Sequence, residues 1–230
     1  GVDPEYTEQI IPLAREHLAG ARRVIDIGTG EGQIARALAH EGAVVLGVDP
    51  TAPLVEEARA RGGGPSYVRG GATALPVRSG SVDGLVVCLV FEHVDDLAGA
   101  IAEVARVLEP GGRFLLMLNH PLLQTPGSGM IIDHVLDPPE TYWRIGPYLP
   151  EAVTVEEVHK GVFVRFVHRP LGRYVNALID AGLELTAVLE PAPPPGFLAK
   201  APEYEHEVVV TTPRLLGLVA RRRATTIGGT

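Results

Sequence analysis

The nine residues Val24-Ile25-Asp26-Ile27-Gly28-Thr29-Gly30-Glu31-Gly32 constrain this chain more than any other stretch. A short apolar run, suited to a buried strand, passes straight into a loop with glycine at alternate positions, and Gln33 to His40 then reads as a helix. A strand–loop–helix unit of this kind sets bare backbone N–H groups and a positive helix end beside a bound anionic group. A second apolar run, Val44 to Val48, ends in Asp49. That acid stands about 20 residues downstream of the loop, the usual offset for a carboxylate that meets a ribose. The pair predicts a nucleoside-containing ligand held across the tips of two parallel strands.

Spacing narrows the ligand. A dinucleotide fingerprint, G-x-G-x-x-G, would need its third glycine at Gln33. The glycine stands at Gly32 instead, and Asp26 lies inside the strand ahead of Gly28. The segment Asp26-Ile27-Gly28-Thr29-Gly30-Glu31-Gly32 resembles the first motif of the class I S-adenosylmethionine-dependent methyltransferases. Matching pieces follow in order. Asp49-Pro50-Thr51 resembles the ribose-binding acid and its neighbours, and Ala72-Thr73-Ala74-Leu75-Pro76-Val77 the loop along the adenine edge. Gly84-Leu85-Val86-Val87-Cys88 is similar to the fourth strand, and Val107-Leu108-Glu109-Pro110-Gly111-Gly112 to the turn before the fifth. The resemblance spans residues 20–120 and is strongest toward the quinone-biosynthesis group of these enzymes.

The resemblance implies S-adenosylmethionine as cofactor, with contacts at Asp26, Gly28, Thr29, Gly30, Gln33, Asp49, Pro50, Gly71, Ala72, Thr73, Cys88 and Leu89. Asp26 would face the methionine ammonium, or else hydrogen-bond the glycine loop from the strand end. Asp49 would accept from both ribose hydroxyls, or else cap the helix after it. Cys88 is expected as a packed spacer rather than a nucleophile. One position departs from the family: where Gly-Asp-Ala is common, this chain has Gly70-Gly71-Ala72, so the acid that accepts from the adenine amino group is absent.

Methyl transfer from a sulfonium needs alignment and exclusion of water, and a base only where the acceptor must lose a proton. The base candidates are His93, His120, His134 and His168, with Glu92 behind them; His93 and His120 follow the fourth and fifth strands and are the expected bases, His93 being the best placed. Each is also readable as a structural residue that bonds the loop backbone. No compact His/Cys/Asp cluster with ligand spacing suggests a metal site.

Composition excludes several classes. With 20 basic against 28 acidic residues the net charge is −8, which argues against binding along a phosphate backbone. Cys88-Leu89-Val90-Phe91 also stands where a nucleic-acid amino methyltransferase would carry an (Asn/Asp)-Pro-Pro-aromatic motif. Arg221-Arg222-Arg223 reads as a solvated strand end. The single cysteine excludes a disulfide framework, and neither a membrane span nor a signal pattern is evident. The expectation is a cytoplasmic monomer or homodimer acting on a small-molecule acceptor, with no nucleic-acid or membrane partner. Two rival readings are a non-catalytic cofactor-binding or regulatory protein and an NAD(P)-dependent reductase on a similar sheet.

The expected fold is α/β: a Rossmann-like, doubly wound, mostly parallel seven-stranded sheet with helices on both faces and an antiparallel terminal hairpin. A helix over 4–19 opens the chain. Strands over 24–28, 44–48, 66–69, 84–89 and 112–119 alternate with helices over 31–40, 52–61 and 97–108. A single domain over 1–230 is expected, with its cofactor-binding core over 20–120. An irregular insert over 119–169 would act as a lid and acceptor site; Tyr142, Trp143, Tyr148, Phe163 and Phe166 would either wall an apolar acceptor pocket or form the insert's own small core. A helix over 171–181 and strands over 183–189 and 215–221 resume the pattern, while 196–211 carries no assignable element.

Overall fold

The computed structural model describes residues 3–135 and 137–224. Seven strands form one sheet: β1 (Arg23–Ile27), β2 (Val44–Asp49), β3 (Ser66–Arg69), β4 (Val82–Cys88), β5 (Leu108–Asn119), β10 (Leu183–Leu189) and β11 (Leu215–Arg222). Their order is β10-β11-β5-β4-β1-β2-β3. Neighbours from β3 through β5 pair in parallel, and β11 runs antiparallel between β5 and β10. The order reverses between β1 and β4, and beyond the carboxyl ends of such strands lies the natural ligand crevice.

Alternate residues of the central strands feed two separate cores, as the two-residue period of a strand requires. Ile25, Leu85, Val87, Leu116 and Leu118 meet α4 (Leu97–Val107) and α5 (Leu171–Asp180) on one face. Val24, Val86, Cys88, Leu115 and Met117 meet α1 (Ile11–His17), α2 (Gln33–His40) and α3 (Ala52–Arg61) on the other. The opening helix begins with a π-wound stretch, Tyr6–Ile10. Pro12 sits just inside α1 and has no N–H to bond backwards, a natural place for the winding to change.

Several element bounds shift from the sequence reading, and two of the shifts have a clear local cause. Of the two starts read from the sequence, residue 31 and Gln33, the helix takes Gln33, because Gly32 has a left-handed conformation (φ 83°) that no helix continues through. β5 begins at Leu108 rather than 112: its pairing with β4 jumps from Val82↔Leu108 to Gly84↔Arg113, so Glu109-Pro110-Gly111-Gly112 bulges out of a longer strand.

The segment expected to be irregular is mostly paired. β6 (Gly129–Asp133) pairs with β7 (Glu140–Arg144), and β8 (Ala152–His159) with β9 (Val162–His168), as two antiparallel hairpins outside the main sheet. Only β9 had shown an alternating pattern. Residues left unassigned around 196–211 contain the short helices α6 (Pro195–Leu198) and α7 (His206–Thr211). Among the described residues no helix is long and apolar enough to cross a membrane.

Candidate functional site

The glycine loop is stitched to β2. The N–H groups of Gly28 and Thr29 both donate to the Val48 carbonyl, at 2.7 and 3.1 Å. The Gly30 N–H donates to Asp49 Oδ2 at 3.0 Å, and the Thr51 N–H to Asp49 Oδ1 at 2.8 Å. Asp49 is therefore in contact with the bend. Its carboxylate offers about four lone-pair sites, of which two are used, so a vicinal diol can still be accepted.

The three glycines serve different ends. A Cβ on Gly28 would come within 2.2 Å of Val90 Cγ2, and one on Gly32 within 2.3 Å of the Tyr67 hydroxyl. These two admit close neighbours. A Cβ on Gly30 (φ 54°) would meet nothing within 4 Å. The middle glycine alone faces open space, beside the acid.

Asp26 is buried and turned toward the loop. Its Oδ2 accepts from the Thr29 hydroxyl at 2.7 Å and from the Ala35 N–H at 3.1 Å, tying β1, the loop and α2 together. The Thr29 hydroxyl is thereby committed to Asp26 rather than left for a ligand. Burial pushes the Asp26 carboxyl up to about 7, with a smaller contribution from the charge of Asp49.

At the end of β4 the buried Cys88 thiol is pushed up, first by burial and then by the charges of Glu92, Asp26 and Glu5. Leu89 follows in a left-handed conformation (φ 55°), rare for a side chain with a Cβ. Such strain persists only where surrounding structure holds it, often at a ligand site. Its N–H donates to the Met117 carbonyl at 2.8 Å, which fixes the kink to β5. Glu92 is 2% exposed; Oε1 accepts from Asn119 Nδ2 at 3.0 Å, and Oε2 has no partner among the described residues. Burial pushes this carboxyl up as well. Tyr6 belongs to the same neighbourhood, its phenol raised by burial and by nearby Cys88 and Asp26.

Sequence reasoning passed over Tyr6. It is one helical step before Ile10, Ala14 and Leu18, which mark the buried face of the opening helix. It likewise passed over Asn119 as the partner of Glu92, which no local pattern announces.

The histidines separate. His93 Nδ1 lies 2.8 Å from the Arg165 carbonyl of β9. A carbonyl can only accept, so Nδ1 carries the proton and Nε2 of the neutral ring keeps its lone pair. Phe166 packs edge-on against the ring at 4.5 Å. His120, also expected as a base, has both nitrogens engaged: Nε2 donates to Glu190 Oε1 at 2.9 Å, and Nδ1 accepts from the Leu122 N–H at 3.2 Å. In this arrangement it ties β5 to the end of β10, with no lone pair free for substrate. His168 Nε2 donates to the Tyr148 carbonyl at 2.7 Å, and His134 is exposed beyond β6.

The adenine-edge loop is pinned from both sides. The Gly70 N–H donates to the Asp49 carbonyl at 3.0 Å. Glu103 accepts from the Leu75 N–H at 2.7 Å, and Arg106 donates to the Leu75 and Val77 carbonyls. A Cβ on Gly71 would meet nothing within 4 Å. Ala72 is half-buried and Thr73 exposed beside it. Pro50 is exposed and its carbonyl accepts from Arg69 Nε at 2.9 Å; Gln33 is half-buried at the start of α2.

The aromatics of the insert divide between roles. Trp143 lines a cavity of about 400 Å³, and Tyr142 and Trp143 line a second of about 360 Å³. Tyr148 accepts from the Leu171 N–H at 2.8 Å, Phe166 braces His93, and Phe163 is exposed.

This geometry fits the expected cofactor. Open space at Gly30 and Gly71 flanks a carboxylate with lone pairs to spare, and two further carboxyls pushed toward neutrality would be stabilised as anions by an ammonium or sulfonium. Known proteins agree with it. Residues 25–116 match the family described as Methyltransferase domain. An uncharacterized methyltransferase of Mycobacterium tuberculosis is 38% identical over 116 residues, 50% of this chain and 45% of that protein. A ubiquinone/menaquinone biosynthesis C-methyltransferase of Desulfotalea psychrophila is 33% identical over 163 residues, 68% of this chain and 62% of its own. The chain thus spans about half the length of the mycobacterial relative. The crystal structure of an S-adenosylmethionine dependent methyltransferase from Mesorhizobium loti superposes with a TM-score of 0.77 at 31% identity, covering 92% of this chain and 96% of that one. With a relative of that identity covered almost end to end, this chain belongs to the class I S-adenosylmethionine-dependent methyltransferases, whose cofactor is S-adenosylmethionine.

Proposed function

We propose that this chain transfers a methyl group from S-adenosylmethionine to a small-molecule acceptor by in-line displacement, leaving S-adenosylhomocysteine. The observation that carries the reading is the Asp49 carboxylate, 3.0 Å from the Gly30 N–H and flanked by open space at Gly30 and Gly71. When bound, S-adenosylmethionine supplies a methyl already activated by its sulfonium. What remains for the chain is to bind, align and keep water out.

Asp49 and the loop backbone hold the sugar end. Asp26 and Glu92, buried carboxyls near Cys88, favour a positive charge beyond β1 and β4. The insert hairpins roof the acceptor side. His93, its Nδ1 committed to Arg165, holds a free lone pair on Nε2 with which to take a proton where the acceptor must lose one. The names of relatives that act in quinone biosynthesis support an apolar acceptor. Intracellular action as a monomer or homodimer remains the expectation that goes with this reading.

Calorimetric titration with S-adenosylmethionine, S-adenosylhomocysteine and NAD tests it. The first two bind and NAD does not; NAD binding in their place reverses the assignment. The open position at Gly71 keeps a second reading in play, a binding protein without turnover. Appearance of S-adenosylhomocysteine with any apolar acceptor excludes that reading.

A further inference from the structure

β8 and β9 form a hairpin of their own outside the main sheet, and its two edges have different surroundings. On the β9 edge the Arg165 carbonyl accepts from His93 Nδ1 at 2.8 Å, and the Arg165 side chain pairs with Asp95, so this edge lies against the turn after β4. In an antiparallel ladder the N–H and C=O of one residue point the same way, and they point outward in alternate pairs. The Arg165 carbonyl points away from β8, so Val155, directly opposite, turns its own N–H and C=O away from β9. Val153, opposite Val167, and Glu157, opposite Phe163, follow the same two-residue period. No backbone hydrogen bond from elsewhere among the described residues reaches these three.

The side chains beside this edge are apolar and uncovered: Val153 is 51% exposed, Val155 62% and Phe163 66%. An open strand edge bordered by exposed apolar groups is a template for another strand. β8 is complementary to a second copy of itself. In an antiparallel pair about a twofold axis at Val155, every outward residue meets an outward residue: Val155 meets its own copy, and Val153 meets Glu157 of the second copy. Glu156 then faces Thr154, whose hydroxyl already donates to Glu156 Oε1 within the strand at 3.2 Å. Other axes fit less well. One at Glu156 or Glu157 sets like charges face to face, and one at Thr154 brings Glu157 level with Glu151. One at Val153 leaves Glu157 beyond the end of the partner strand. Charge and hydrogen-bond direction thus agree on Val155.

We propose that β8 is a dimer interface: two copies of this chain pair antiparallel through Val153, Val155 and Glu157, with the twofold axis at Val155, joining two hairpins into one four-stranded sheet. Three facing pairs exchange about six main-chain hydrogen bonds, the scale of a weak, reversible association. The pairing bears on the site, because β9 then lies between a braced β8 and the turn after β4, and it carries the carbonyl that holds His93. The interface itself does not rest on the methyltransferase reading.

Sedimentation equilibrium over about 1 to 100 µM protein, the range of a weak homodimer, tests it. The parent chain is a reversible dimer. Val155→Lys sets two like charges across the axis and raises the dissociation constant about tenfold. Val153→Lys meets Glu157 of the second copy twice per dimer and lowers the constant several-fold. Opposite responses to the same added charge, two residues apart on one face, distinguish this register from any other contact. Val155→Pro removes only an outward N–H, so the β8–β9 ladder survives and the dimer is lost. A cooperative thermal transition shows that each variant is folded, and the two lysine variants decide the matter should the proline variant not fold. A parent chain that is monomeric at about 100 µM overturns the proposal, as do lysine variants that move the constant in the same direction. A monomer that sediments with phospholipid vesicles overturns it too, and assigns the apolar edge to a lipid surface.

Discussion

Two stretches of one sheet edge are built from different material. Over β1 and β2 the crevice is made of backbone: the Gly28–Gly30 loop bonded to Val48 and Asp49, with a single carboxylate as its main polar side chain. Over β5 and β11 it is made of side chains brought from 123–143, 197–209 and Arg214. A backbone cradle tolerates sequence change as long as its glycines and its acid remain. A side-chain wall can be re-cut residue by residue without disturbing the sheet. The division suits an enzyme whose cofactor is fixed and whose acceptor differs among relatives, since one scaffold hosts many chemistries.

His93 lies where the two stretches meet, and its substitution carries the largest expected effect. His93→Ala lowers turnover about 100-fold, the usual scale for loss of a general base, and leaves S-adenosylmethionine affinity unchanged. The histidine also ties β9 to the loop after β4, so a loss of rate alone is ambiguous. His93→Asn resolves it, because the amide N–H₂ can still donate to the Arg165 carbonyl but has no basic lone pair. If Asn restores the rate, His93 is a tether and the base lies elsewhere.

The glycines test whether the cradle divides into packing and binding positions. Gly28→Ala combines a left-handed φ of 70° with a contact that Val90 must vacate. It should cost about 2 kcal/mol of stability or more. Gly30→Ala has the conformational cost without the clash, roughly 1 kcal/mol, but its methyl enters the space left for the ligand. Thermal unfolding therefore falls further for Gly28→Ala, and calorimetric affinity for S-adenosylmethionine falls further for Gly30→Ala. The reverse ranking would mean that the open space at Gly30 is not the cofactor crevice.

What was readable in the sequence follows the same division. Alternation of apolar runs with helical patterns located the strands and helices around the crevice, because each is decided by neighbours within a few residues. Errors fell where a single backbone angle intervenes, as at Gly32, or where Glu109–Gly112 bulge from a strand that a Pro-Gly-Gly turn had appeared to delay. Asp49 was legible in position because loop and strand spacing fix it. The place of Asp26 at the end of β1, beside the glycine loop, was legible, but the direction of its carboxylate was not. That depends on Thr29 and Ala35 competing with a ligand for one oxygen. The roles of His120 and Glu92 depend on Glu190 and Asn119, which lie far off in the chain or beyond any periodic signal.

Asp26 gives a pH-dependent comparison between the empty and the filled cradle. Its folded value of about 7 lies above the ordinary 3.8, so between those limits the folded chain binds more protons than the unfolded one. Its contribution to stability is then greatest below about pH 4 and is lost as pH rises toward 7, by at most about 1.4 kcal/mol per pH unit. Urea unfolding of cofactor-free protein between pH 5 and 8 should show this decline. Asp26→Asn, which mimics the protonated acid and still accepts from Thr29 and Ala35, should flatten it. Saturating S-adenosylmethionine should flatten it as well, because an ammonium near the carboxylate lowers its value. A slope unchanged by Asp26→Asn assigns the titration to another group.

The smallest expected effect is a gain, and it bears on the one place where the cradle lacks a side chain. The chain has Gly71 where the resemblance to the family leads one to expect an acid, and a Cβ there would meet nothing within 4 Å. Gly71 is also absent from the left-handed positions, so an L-residue fits its backbone. Gly71→Asp should therefore fold normally and add an acceptor for the adenine amino group, raising S-adenosylmethionine affinity by up to about tenfold, or about 1.4 kcal/mol. Gly71→Asn, neutral and of nearly the same shape, should gain less, because the stronger bond requires charge. Calorimetry on the three proteins decides it. If both variants bind as the parent does, the adenine does not lie along this loop, and the backbone cradle ends at the ribose.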